Sequence, residues 1–176
     1  MSHMTEAKEI SITQTQTAWG STWIASCDSR LVASNLPVTT KAEIIAQLRA
    51  IYGPQVKISE FQEPVLIQAG EWLVTFTRGI DPGPPPPLEP RGTPFQIAVW
   101  KTMLGLGWGK TVSYRELATL SGNPRAVRAV GGVCKRNPLA PFIPCHRVVA
   151  AGSKLGGFFG GTEYKRKLLA NEGIVL

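Results

Sequence analysis

The sequence predicts an α/β domain followed by a mostly α-helical one that carries a helix-turn-helix. Three observations predict it. Short strand-like runs open the chain, the proline-dense stretch DPGPPPPLEPRG divides it, and four capped helical segments follow the divide. Consecutive prolines favour an extended, semi-rigid spacer and exclude helix or central strand. The expected organisation is a small α/β support domain over 1–80, with 1–4 as an expression-tag remnant, then a linker over 81–92 and a second domain over 93–176.

Each element has a local reason. ISITQTQT, STWIAS and RLVAS read as strands separated by turn residues. Thr40 and Glu43 form a capping box that opens a helix. That helix carries Ile44, Ile45, Leu48, Ile51 and Tyr52 on one face and stops at Gly53-Pro54. VLIQA and WLVTFTR, rich in apolar and branched residues, are expected to add strand or extended structure. Thr93, Pro94 and Gln96 supply an N-cap, a first-turn proline and a capping-box partner; Phe95, Val99, Trp100, Met103 and Leu104 follow at helical spacing. Ser113 and Glu116 form another box, opening a short helix with Leu117, Ala118 and Leu120 that closes at Gly122. Asn123-Pro124 caps the next helix, about Pro124 to Lys135, and the two short helices make the helix-turn-helix candidate. A last helix follows Thr162, with Tyr164, Leu168 and Leu169 inward.

Composition narrows the function classes. The chain has 176 residues, 43% of them apolar, and no apolar run approaches the roughly 18 to 20 residues that span a bilayer. Three cysteines without paired spacing, Cys27, Cys134 and Cys145, argue against a disulfide framework and suit a reducing compartment. Only two histidines are present, and His3 belongs to the tag-like start, so a metal site is not expected. Residues 1–92 carry 7 basic and 9 acidic side chains, net −2; residues 93–176 carry 12 and 3, net +9. A basic C-terminal half suits a polyanion such as nucleic acid, or is simply a solvated surface.

Within PRAVRAVGGVCK, Val127, Val130 and Cys134 share a core-facing stripe. The opposite face shows Arg125, Arg128, Ala129, Gly132 and Arg136. Two helical glycines cost about 1 kcal/mol each relative to alanine, which suits a backbone that approaches another surface closely. A nucleic-acid groove or close helix packing would both do so. Arg128 is the candidate for insertion, since a guanidinium stacks and hydrogen-bonds at once.

PFIPCHRVV places His146 directly after Cys145. The unperturbed thiol is mostly protonated at neutral pH and needs a base to become a nucleophile. Adjacent strand residues point to opposite faces, so contact requires a turn, which Pro144 favours, or a bridging water. Glu172, at the end of the last helix, is a candidate to orient the histidine. A buried structural cysteine beside a satisfied histidine is the plain alternative.

YRELATLSGNPRAVRAVGGVCKRNP, PCHRVV and LGGFFGGTEYKRKLLANEG together resemble the O6-alkylguanine-DNA alkyltransferase (methylated-DNA–protein-cysteine methyltransferase) family from about Pro94 to Leu176. The resemblance implies a C-terminal domain with a winged-helix-like helix-turn-helix in the minor groove of DNA. It implies direct-reversal repair by one-turnover transfer of an alkyl group from O6-alkylguanine in duplex DNA, with O4-alkylthymine a second lesion in question. Cys145 would accept the group, His146 would act as base through a water, and Glu172 would hold its other nitrogen. Asn137 would be the hinge between recognition helix and active-site loop. Tyr114 would press on the flipped nucleotide and its phosphate, with Arg128 filling the vacated stack. Asn123, Arg125, Ala129 and Gly132 would line the DNA. The backbone of Cys145 and Val148 would read the base, and Gly157, Phe158 and Phe159 would form the pocket loop.

Phe159 departs from the family's small or polar residue there, and Ala140 from a frequent proline near the pocket rim. No cofactor and no metal are implied. A monomer is expected, with cooperation along DNA open, located in the cytoplasm or nucleus according to the source. A lesion-binding module without chemistry, a Cys-His hydrolase and a transcription regulator are the competing readings. Cys145, the lack of a visible oxyanion hole and the short chain weigh against them in turn.

Overall fold

The computed structural model describes residues 8–37 and 40–176; the tag-like residues 1–4, His3 among them, lie outside the described residues. The N-terminal part is sheet-rich and the C-terminal part helical. Strands β1 (Glu9–Thr17), β2 (Gly20–Cys27) and β3 (Arg30–Ser34) form an antiparallel meander. The β2–β3 turn bends through Asp28 and Ser29, both at positive φ, which matches the twist of a tight hairpin. Helix α1 (Lys41–Tyr52) starts at the Thr40–Glu43 capping box. It leads to β4 (Lys57–Glu60), which joins β1 in parallel and completes the order β3-β2-β1-β4.

VLIQA and WLVTFTR are not strands. They form one helix, α2 (Pro64–Thr77). Val65, Leu66, Ala69, Gly70, Leu73, Phe76 and Thr77 are buried at intervals of three and four, while Ile67 is exposed. Helical periodicity and a proline in the first turn outweigh the branched composition that suggests strand. β4 was not expected from the sequence either. Its four residues show no clear alternation of burial.

The sheet separates two cores. On one side Ile10, Ile12, Ala25, Cys27, Val32 and Ala33 pack under Ile44 and Leu48 of α1. The other side belongs to a larger core, in which Ile24, Leu31 and the apolar face of α2 meet Val99, Trp100, Met103, Leu117, Val130 and Ile143. This core therefore runs through both halves of the chain. Glu63 ties the start of α2 to the sheet, accepting hydrogen bonds from Ser11 (2.7 Å) and Ser26 (2.9 Å). The proline-rich segment is fastened at both ends. Trp72 donates to the Gly83 carbonyl at 3.0 Å, and Leu31 exchanges backbone bonds with Pro87 and Glu89, both at 2.8 Å.

The C-terminal part holds α3 (Pro94–Leu104), β5 (Val112–Ser113), α4 (Tyr114–Leu120), α5 (Val127–Lys135), β6 (Val148–Val149) and α6 (Thr162–Asn171). The capping boxes at Thr93 and Ser113 form as expected. Other details differ. Leu104 and Leu120 are exposed. α5 starts at Val127 behind Ala126 without a side-chain cap, because residues 124 and 125 continue the turn from α4. Asn123 shapes that turn through its carbonyl, which accepts from Ala126 at 2.9 Å. α6 is preceded by Gly161 at φ 86°, with Thr162 already helical. No described helix is long and apolar enough to cross a membrane.

α2 lies so close to β1 that a Cβ on Gly70 would come within 2.9 Å of Thr15 Oγ1. Gly70→Val should therefore lower unfolding free energy by about 1–3 kcal/mol through overpacking, read as a lower urea midpoint at unchanged slope.

Candidate active site

Pro144 leads into a 3-10 turn over Cys145–Arg147, closed by Arg147 N–H on the Pro144 carbonyl at 3.0 Å. The turn supplies the bend that a strand would not. It sends His146 and Arg147 together onto Glu172, which follows the last turn of α6.

The Glu172 side chain is completely buried. Its Oε1 lies 2.7 Å from His146 Nε2 and 3.0 Å from Arg147 Nη2; Oε2 accepts from Arg147 Nε at 2.9 Å and from the Gly109 N–H at 3.1 Å. Arg147 Nη1 also donates to the Leu106 carbonyl. Burial alone would raise the carboxyl's pKa, but the bonds from His146 and Arg147 outweigh it and hold it below its ordinary value. Burial lowers the pKa of His146 against the opposing pull of Glu172, so the imidazole is neutral. A carboxylate only accepts, so Nε2 carries the imidazole proton. Nδ1 is then the acceptor, and among the described residues it has no hydrogen-bond partner.

Cys145 is buried, and burial pushes its thiol up to about 11. Asn137 opposes this by donating from Nδ2 to Sγ at 3.1 Å. The same amide group donates to the Ile143 carbonyl at 2.7 Å, while Oδ1 accepts from Leu139 N–H at 3.0 Å. Asn137 thus joins the end of α5 to the segment that leads into the cysteine. A neutral thiol at rest, beside an oriented base and a donor that stabilises the anion, is the pattern of a nucleophile deprotonated on demand.

A cleft of about 390 Å³ is lined by Tyr114, Gly131, Cys134, Lys135, Gly157 and Phe158, with the buried Cys145 not among its lining residues. Tyr114 donates weakly to the Gly157 carbonyl at 3.4 Å. Partial burial raises its phenol to about 12, so it remains a donor at neutral pH. The loop reaches this ring because residue 156 is glycine at φ 68°; a Cβ there would stand 3.0 Å from the tyrosine ring.

Most of the expected site residues thus fall into three places. Cys145, His146, Glu172 and Asn137 form one buried group, while Tyr114, Gly157 and Phe158 line the cleft. Asn123, Arg125, Arg128 and Ala129 are exposed on or before α5, with Gly132 half-buried. Val148 is fully buried, and its carbonyl already accepts from Lys165 Nζ at 2.6 Å. Phe159 packs on Phe158 with ring centroids 4.8 Å apart and lines a second cleft of about 290 Å³, shared with Asn35, Glu43, Gln47 and Lys135. Ala140 is not at a rim. It is fully buried, with its carbonyl accepting from Ser34 Oγ at 2.7 Å, because β3 packs on this segment.

Arg147, Lys165 and Gly131 were not anticipated. Lys165 is fully buried, and burial lowers its pKa while the two nearby cysteines oppose the shift. Its place three residues before Leu168 on an apolar stripe was the available signal. Among the described residues, no group of three or more His, Cys, Asp or Glu side chains could hold a metal ion.

A family model described as 6-O-methylguanine DNA methyltransferase, DNA binding domain, matches residues 94–174. A methylated-DNA–protein-cysteine methyltransferase of Mus musculus is 37% identical over 153 residues, covering 82% of this chain and 70% of that protein. One from Haemophilus influenzae is 48% identical over 88 residues, covering 50% of this chain and 49% of the relative, so the match spans about half of that protein's length. A Mycobacterium tuberculosis OGT, solved in complex with DNA, superposes with a TM-score of 0.71 at 30% identity, covering 93% of this chain and 92% of that one.

The two shifted groups predict how stability responds to acid. His146 is held below its ordinary 6.5, so the unfolded chain takes up that proton first and stability falls as pH drops below about 6.5. Glu172 is held below its ordinary 4.5, so its contribution is present above that value and is lost below it. The thermal midpoint should therefore decline in two stages, and His146→Gln should remove the first. An unchanged slope between pH 6.5 and 5 in that variant would contradict the assignment.

Proposed function

This chain belongs to the methylated-DNA–protein-cysteine methyltransferase family, and on that premise we propose that it repairs DNA by moving an alkyl group from O6-alkylguanine to Cys145. The observation that carries the reading is a buried thiol, bonded by Asn137 and neighboured by a neutral histidine that Glu172 orients.

The chemistry follows from the geometry. Glu172 fixes the tautomer of His146, and the free Nδ1 lone pair draws the Cys145 proton through a bridging water. Asn137 and the buried Lys165 cation favour the sulfur anion as it forms. The thiolate attacks the alkyl carbon in line. An S–C bond forms, the C–O6 bond breaks, and its electron pair stays on the guanine oxygen. The departing guanine regains a proton from the Tyr114 hydroxyl, and the proton held by His146 passes through solvent to restore the phenol. The thioether formed is a poor leaving group, so each molecule reacts once, without cofactor or metal.

An O6 substituent lies within the base stack, so the nucleotide must rotate out, at a cost of a few kcal/mol that is least for a damaged pair. In this reading α4, the turn through Asn123 and α5 act as a winged-helix-like helix-turn-helix. The exposed face with Arg125, Arg128, Ala129 and Gly132 enters the minor groove, and Arg128 takes the place of the extruded base. The cleft beside Tyr114 receives the base. Double-stranded DNA carrying O6-alkylguanine is thus the partner, and the protein acts as a monomer.

Incubation with an oligonucleotide bearing labelled O6-methylguanine should move label to Cys145 and stop at one equivalent; label accumulating beyond one would overturn the single-turnover reading. Arg128→Ala should slow repair in duplex at least tenfold more than reaction with free O6-benzylguanine. An equal loss on both substrates would remove Arg128 from base extrusion.

A further inference from the structure

The N-terminal part supplies none of the groups that react in this reading, yet one of its residues meets both arms of the reactive assembly. Phe76, in the last turn of α2, is buried among four other rings. Its centroid lies 5.2 Å from Trp72 in a parallel stack, 5.7 Å from Trp108 and 5.9 Å from Trp19, both edge-on. The fourth ring is the imidazole of His146, at 6.1 Å and 71°. The carbonyl of this same residue accepts a hydrogen bond from Asn171 Nδ2 at 2.7 Å. Asn171 directly precedes Glu172. A helix leaves its last carbonyls without intrahelical partners. The Phe76 carbonyl already accepts from the Gly79 N–H at 3.0 Å, and Asn171 takes its remaining lone pair, which fastens the end of α6 to the end of α2.

We infer that the N-terminal part positions the His146–Glu172 pair through Phe76, with Asn171 of α6, bonded to the Phe76 carbonyl, as the second positioning residue. The inference rests on the proposed roles of that pair as base and orienter. The Phe76 ring blocks rotation of the imidazole about its Cβ–Cγ bond, which would exchange Nδ1 and Nε2. It also keeps water from the edge of His146. Asn171 sets where the carboxylate stands relative to that ring. The charged groups that face His146 are Glu172 and Lys165 from the α6 region and Arg147 from its own turn. α2 meets it with the Phe76 ring, so α2 acts through shape and exclusion of water.

The chain has two histidines, so the ¹⁵N imidazole spectrum of the full-length, histidine-labelled protein is simple enough to assign. The parent should show His146 as a single Nε2–H tautomer. Phe76→Leu and Asn171→Ala should each mix the tautomers and slow transfer from free O6-benzylguanine at least fivefold. The acid limb of that rate should move up by half a pH unit or more, because a wetter imidazole protonates more readily. Asn171→Gln, which keeps the donor, should restore much of the parent behaviour. Asn171 is half-buried at a helix end, so its variants keep the test open should Phe76→Leu fail to fold. Parent-like His146 signals and an unmoved acid limb in Asn171→Ala, with only a lower melting temperature, would overturn the inference. If the parent transfers no alkyl group at all, the proposed function fails, while the tautomer spectrum still decides the positioning.

Discussion

A carboxylate with no exposure to solvent sits where the last helix of the chain ends, and the rest of the site is arranged around it. An ionised group in that position is tolerable only when its oxygens are fully bonded. Glu172 achieves this by drawing in His146 and Arg147 from one stretch of chain and the Gly109 N–H from another. Satisfying the charge therefore closes the 3-10 turn after Pro144 against α6 and against the loop that follows α3. The tautomer of the imidazole follows from the same requirement. The electrostatics that stabilise this region and those that prepare the thiol are one arrangement.

The cost of the arrangement falls on the sulfur. Cys145 lies in surroundings that disfavour its anion, and a single amide hydrogen bond and a buried ammonium group only partly offset this. Such a thiol is protected from adventitious electrophiles in solution. In the proposed reaction it would react only when a bound partner brings the leaving group to it. Lys165 also anchors two carbonyls, of Val148 and Gly157, and so couples the loop over the cleft to the strand beneath the cysteine.

Much of the C-terminal part was legible because its signals are local. Two of its helix starts, at Thr93 and Ser113, carry their own capping residues, Pro144 announces an unusual backbone at Cys145, and the stripe Val127, Val130 and Cys134 fixes which face of α5 turns outward. Glu172 could be named as a partner because only three acidic residues lie beyond residue 92. What could not be read depends on contacts distant in sequence. Lys165 and Arg147 carry charges that ordinarily mark a surface, and only the assembled core shows them buried. α2 reads as strand because branched residues favour strands in isolation, whereas its neighbours demand a helix with one buried apolar face. Phe76 was one apolar letter in that run, and nothing local distinguishes it from Leu73. The second cleft behind Phe159 likewise depends on how α1 and α5 approach each other.

The fastened proline segment has a consequence for the chain before it folds. Pro82, Pro84, Pro85, Pro86, Pro87 and Pro90 restrict the denatured ensemble as well as the native one, so ordering this tether loses little entropy. A stiff tether of this length also limits how far the two ends of the large core can drift apart. Each part therefore meets the other at a high effective concentration, and collapse of one supplies the template for the other. Replacing the prolines with a glycine-serine stretch of equal length would leave every native side-chain contact outside the tether in place, yet weaken the cooperativity with which the halves assemble.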